Sequence, residues 1–153
     1  MLSVVLGLLS DDPRTLAIRE GLLRELLARA RREQVTLVAA ALDPDTVAGT
    51  SGFDALVDRL WNWLSAPEQQ PMVRLTYEAF LLSLSHHPGP WTGFAAESAR
   101  DWLDLLCRAQ PNTPRIEAEV KATRALALIR GLLLDLLACE EPARVTAAAD
   151  FAW

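Results

Sequence analysis

His86 and His87 are adjacent, and imidazole is the commonest metal ligand and a side chain that titrates near neutral pH. A metal site needs companions, and no nearby Cys and no helical H-x-x-x-H pair supplies them. Just ahead of Pro88-Gly89-Pro90, the two histidines read instead as a helix C-terminus, where a cation is mildly favoured. Cys107 and Cys139 lie far apart, without a C-x-x-C pair or a His at ligand spacing, and read as reduced thiols of a cytoplasmic chain. Asp101 and Asp104 flank Trp102, and a lone pair of carboxylates on an amphipathic helix reads as its solvated side. Ser10, Ser51, Ser83 and Ser85 lack the G-x-S-x-G elbow, and no phosphate-binding glycine-lysine loop occurs. The basic run Arg29, Arg31 and Arg32, with Glu33 adjacent, reads as a solvated helix end rather than a phosphate site. With no nucleophile, metal cluster or cofactor loop in view, the expectation is a protein that is not an enzyme, with no catalytic residue, metal or cofactor.

These side chains sit in a chain of 153 residues, the usual size of one domain. Hydrophobic residues are 51% and charged residues 23%, too apolar for disorder and suggestive of a core shared with a partner. Fifteen basic against twenty acidic side chains leave −5, so no global positive field draws the chain to phosphate backbones, and nucleic-acid binding by this chain alone is not expected. Seven Gly, four Phe and one Tyr amid long Leu/Ala/Arg/Glu stretches favour helix over strand, predicting an all-α antiparallel bundle of about six to seven helices. The opening MLSVVLGLLSDD has no basic n-region and is too short to span a bilayer, so neither export nor membrane residence is expected.

Asp12-Pro13 reads as an N-cap and a first helical position, opening a long helix with Leu16, Leu23, Leu27 and Ala30 on one stripe and Leu22 and Leu26 widening it. The breakers Asp43-Pro44-Asp45 and Gly49 to Gly52 predict a loop, and Phe53 to Leu64 a shorter helix. Ser65 is expected as an N-cap with Glu68 as its capping-box acid, Pro71 limiting that piece to about a turn before a helix from Met72 to about Ser85. Helical period resumes from Trp91 to about Arg108 and from about Arg115 to about Ala138, with a last short helix after Pro142. Between Ala125 and Cys139 only Arg130 and Asp135 are charged, so this helix must be covered on more than one side. Its own core and the same helix of a second copy are the simplest covers, and close approach would justify Gly131, which costs about 1 kcal/mol relative to alanine. A monomer with this helix at its centre is the alternative.

Three blocks carry a family resemblance: the tryptophan-rich LWNWLSAPEQ, the run RLTYEAF, and the helix IRGLLLDLLA with a short helix behind it. Together they resemble the C-terminal effector-binding and dimerisation domain of TetR-family transcriptional regulators, over roughly residues 15 to 150. The resemblance implies an N-terminal segment at 1–14, a ligand-binding and dimerisation domain at 15–153, and a small apolar effector held between helices. Such regulators carry a three-helix DNA-binding module ahead of a segment like REGLLRELLARARR, here Arg19 to Arg32, and eighteen preceding residues are too few for one. The expectation is therefore a sensor without its own DNA-binding head, a homodimer that could also form mixed dimers with a full-length related regulator. Carried onto this chain, the effector lining is Trp61, Leu64, Met72, Leu75, Tyr77, Glu78, Phe80, Leu84 and Phe94. The dimer interface is Trp102, Leu106, Ala125, Ile129, Leu132, Leu133 and Leu136. For any one aromatic the plain reading is core packing, and Arg74 and Glu78, four apart, read as a surface ion pair or, facing inward, as a clamp for a polar ligand group. A helical adaptor for other proteins, with no small-molecule site, is the competing function.

Overall fold

The computed structural model describes residues 13–41, 52–85, 88–139 and 141–150. Among them are six α-helices packed against one another and no strand: α1 Pro13–Ala41, α2 Phe53–Ser65, α3 Gln70–Leu84, α4 Phe94–Arg108, α5 Arg115–Ala138 and α6 Pro142–Ala149. A single 3-10 turn, Pro67–Gln69, links α2 to α3. The expected proline at the start of α1 is in place, and the bounds of α5 match the sequence reading at both ends. His86, His87, the loop at 43–49, and Asp12, Phe151 and Trp153 lie outside the described residues.

Two local expectations fail for steric reasons. Ser65 is the last residue of α2 rather than a cap, and Ala66 precedes the 3-10 turn with no side-chain hydrogen bond. A turn this tight leaves no room for a capping box, and Pro71 then falls in the first turn of α3, where its missing N–H costs nothing. Likewise α4 begins at Phe94, not Trp91, because Gly93 has φ +83°, a left-handed conformation that stops a helix from running through it. The freed α4 terminus is held across the chain reversal: the Ala95 N–H donates to Ser83 Oγ at 3.1 Å.

The helices assemble around α4 and α5. Helix α4 packs against α1, α3 and α5, while α5 packs against α2, α3, α4 and α6. The stripe Leu56, Val57, Leu60, Trp61 and Leu64 of α2 meets Trp102, Leu105 and Leu106 of α4 and Ala122, Leu126, Ile129 and Leu133 of α5 in one core. Alanines at 118, 122 and 125 keep the buried side of α5 thin enough for its neighbours to come close. Gln110 ties the α4–α5 turn, its Nε2 donating to the carbonyls of Leu106 and Ala118. A smaller cluster gathers Leu27, Ala79 and Phe94, with Leu23, Leu75, Phe80 and Trp91 against it.

The register of α5 reassigns most of the residues expected at a dimer interface. Trp102, Leu106, Ala125, Ile129 and Leu133 are buried within this chain, and Leu132 and Leu136 are half-buried against the same core. A side chain already covered by its own helices has no apolar area left for a second copy. The outer side of α5 carries instead Ile116, Val120 and Leu134, at 78%, 64% and 42% exposure. Gly131 lies on that outer side too, and a Cβ there would meet nothing within 4 Å, so no neighbour inside this chain requires the glycine.

Candidate functional site

A cavity of about 50 Å³ lies where all of α1 to α5 converge. Helix α2 contributes Leu60 and Leu64, α3 Val73, Thr76, Tyr77 and Phe80, α4 Ser98 and Trp102, α5 Leu126, Ile129, Arg130 and Leu133, and α1 the amide of Gln34. Helical spacing makes the wall: 73, 76, 77 and 80 fall on one face of α3, as 126, 129, 130 and 133 do on α5. Nine lining residues are buried, and the partly exposed four, Thr76, Tyr77, Phe80 and Arg130, all lie on the α3–α5 seam, which makes that seam the way in.

The seam carries the polar chemistry. Tyr77 donates its hydroxyl hydrogen to the Arg130 carbonyl at 2.9 Å, and burial pushes the phenol well above its ordinary range, so the group stays a neutral donor. The Arg130 guanidinium stands over the Phe80 ring, 4.9 Å from its centroid, a cation–π contact. Its Nη2 is buried with no hydrogen-bond partner among the described residues. Burial draws its pKa down from the usual value, partly countered by Tyr77, yet a guanidinium remains charged at any physiological pH. Gln34 and Ser98, both buried, add an amide and a hydroxyl to an otherwise apolar wall.

Of the expected effector residues, Leu64, Tyr77 and Phe80 line this cavity. Trp61 is packed in the main core, and Leu75 and Phe94 belong to the smaller cluster. Met72 and Glu78 are half-buried off the wall, and Leu84, although it continues the row 73, 77 and 80, is 55% exposed because it is the last residue of α3, past the end of the cavity. No ion pair joins Arg74, which is exposed, to Glu78. Three residues expected at the dimer interface, Trp102, Ile129 and Leu133, are cavity walls. Gln34, Val73, Ser98, Leu126 and Arg130 were not singled out. The signal for Arg130 was present as one of two charges in the otherwise apolar stretch 125–139, and that for Ser98 as its place four residues from both Phe94 and Trp102.

The expectation of a fully solvated Arg31 and Asp101 is corrected. Arg31 is 11% exposed in its side chain and pairs with both Glu97, at 2.8 Å, and Asp101, binding α1 to α4. The sequence could not show this, because the partners are some seventy positions apart and meet only when the helices cross. Arg29 does form a solvated pair, with Glu33 on its own helix.

A second concavity of about 970 Å³ is an open groove between α4 and α5, where Ala96, Ala99 and Leu103 are edged by Arg100, Asp104, Arg115 and Glu119. Cys107 stands in it, half-buried, and burial together with Glu119 and Asp104 pushes its thiol upward, the reverse of what an activated nucleophile needs. Among the described residues no group of three His, Cys, Asp or Glu side chains could hold a metal ion, and no helix is long and apolar enough to cross a membrane.

What the described residues define is an all-α bundle with a small, mostly apolar cavity and a partly buried cation at its edge. Comparison with known protein families, with curated proteins and with solved structures finds no match.

Proposed function

We propose that this chain is an effector-sensing, dimerising domain of the TetR-like kind, binding a small and largely apolar molecule between helices α2 to α5. The observation that carries the reading is the cavity at the α3–α5 seam, apolar on most sides and furnished with a few polar groups, the usual composition of a small-molecule site. Its volume is that of one or two waters, so an effector must move a wall to enter. That requirement suits a sensor: a ligand that binds one helix arrangement better than another shifts the population between them. In regulators of this kind such a shift changes the spacing of DNA-binding heads carried by the dimer.

Pairing with a second copy is supported by the outer side of α5, where Ile116, Val120 and Leu134 are exposed and Gly131 leaves room for close helix approach. Sedimentation of wild type and two variants tests it. Gly131→Leu, whose Cβ meets no described atom of its own chain within 4 Å, weakens self-association at least tenfold, and Arg29→Ala leaves it unchanged. Equal dimer affinity in all three removes α5 from the interface.

The adaptor reading draws on one observation, the row Ile18, Leu22 and Leu26 on α1, spaced four apart and each more than half exposed. A protein partner that protects this row, with no small molecule raising the melting temperature, would favour it over the sensor.

A further inference from the structure

We propose that the molecule taken up at the α3–α5 seam is a small organic carboxylate, an apolar body with one anionic head, and that Arg130 receives the head. This deepens the sensor reading and rests on it.

The argument begins with the cost of Arg130. A charged group withdrawn from water is expensive unless it is paired or hydrogen-bonded, and large buried cations without a counter-charge are rare in folded chains. Here Nη2 is buried and bonded to nothing. The Phe80 ring offers one face to the guanidinium, which offsets only part of that cost. Tyr77 cannot relieve it, since its hydroxyl hydrogen goes to the Arg130 carbonyl and its phenol stays neutral.

Among the described residues no carboxylate pairs with Arg130, and several that lie on neighbouring stretches are engaged elsewhere. Glu97 and Asp101, on the helix that supplies Ser98 and Trp102 to the cavity, are held by Arg31. Asp135, five residues further along α5, pairs with Arg144 of α6 at 3.0 Å. The cation at the cavity mouth is therefore left for something that comes from outside, and the planar guanidinium matches a carboxylate through two parallel N–H donors.

The rest of the wall says what the body of the ligand is. Most of that wall is apolar: Leu64, Val73, Ile129 and Leu133 offer no hydrogen bonds and Trp102 an aromatic surface, while Gln34, Thr76 and Ser98 add only one amide and two hydroxyls. A highly charged or sugar-like molecule would lose its hydration against them without return. A phosphate monoester carries more charge than a single guanidinium answers, so a monocarboxylate with an aliphatic or aromatic body fits best. Because the empty space is so small, the body enters as Phe80 swings away from the seam. The same movement uncovers the guanidinium and exchanges a ring face for a carboxylate.

The test is a matched ligand set, octanoate against 1-octanol and benzoate against benzamide, read by tryptophan fluorescence and by melting temperature. Wild type prefers each carboxylate over its neutral partner by about tenfold or more, one charge-assisted pair's worth. Arg130→Met removes the preference and still binds the neutral molecules. Arg130→Lys keeps part of it, a graded result that a merely structural arginine would not produce. Neutral and anionic partners binding wild type equally well overturn the acidic ligand and leave the apolar sensor standing. No saturable response to any of the four overturns both. If Arg130→Met retains the carboxylate preference, the head lies elsewhere and the assignment of Arg130 falls.

Discussion

At the α1–α4 seam Arg31 is nearly enclosed and meets two carboxylates, whereas at the α3–α5 seam Arg130 is partly enclosed and meets an aromatic ring but, among the described residues, no carboxylate. Each keeps one buried nitrogen, Nε of Arg31 and Nη2 of Arg130, without a hydrogen-bond partner there. The two residues have the same chemistry, and they sit on helices that share α4 as a neighbour or wall. What differs is the supply of counter-charge. Arg31 has its answer inside the chain, so its charge serves as a fastening between helices. Arg130 has none among the described residues, which is the ground on which we assign its charge to a ligand. A guanidinium within a fold is thus informative about function only after its partners have been counted.

Four substitutions sharpen or break this contrast. The largest effect belongs to the wall beside both arginines: Trp102→Ala opens the main core next to Asp101 and the cavity together, and should cost about 3–5 kcal/mol in urea unfolding. Arg31→Met strands two half-exposed carboxylates and unfastens α1 from α4, with an expected loss of about 2 kcal/mol by the same measurement. Tyr77→Phe removes one hydrogen bond to a helix carbonyl and should lower stability by about 1 kcal/mol. Arg130→Met, which deletes a partly buried cation with no bonded partner, should leave stability unchanged or raise it by up to about 1 kcal/mol. A loss from Arg130→Met as large as that from Arg31→Met would show that Arg130 is a fastening after all.

Tyr77 gives a further reading, since it is the only tyrosine in the chain. Its pKa is raised on folding, so the native state holds the phenolic proton more tightly than the unfolded chain does. Its contribution is whole below the ordinary tyrosine range near pH 10 and is lost as pH rises through the folded value. Alkaline titration of the tyrosinate absorbance should accordingly rise only with unfolding, and Tyr77→Phe should flatten the fall of stability above pH 10. A smooth titration in the folded protein would place the ring in water.

The helices themselves were legible in the order of residues. Pro13, Gln110 to Pro114 and Pro142 punctuate the chain where backbone geometry demands it, and apolar spacing marked α2, α4 and α5 because a half-buried helix must repeat near every three to four residues. The candidate site was legible in part. Tyr77 and Phe80 declared themselves as aromatics on one face, while Leu64 came only with the family resemblance.

What periodicity cannot express is which apolar helix faces which, and this decided the rest. An almost wholly apolar stretch such as 125–139 has no polar side to fix its rotation, so only packing against α2, α3, α4 and α6 settled that Ile129 and Leu133 turn inward and Gly131 and Leu134 outward. The same holds for charge. Whether an arginine is paired depends on carboxylates brought close by helix crossing, as Glu97 and Asp101 are to Arg31, and the linear order of residues contains no term for that distance. Local propensity and apolar period determined the six described helices and some of their ends, while those of α3 and α4 at Gln70 and Phe94 were set by the turns before them. Tertiary contact alone made Arg31 a fastening and set Arg130 against the Phe80 ring at the edge of a cavity, with no carboxylate partner among the described residues.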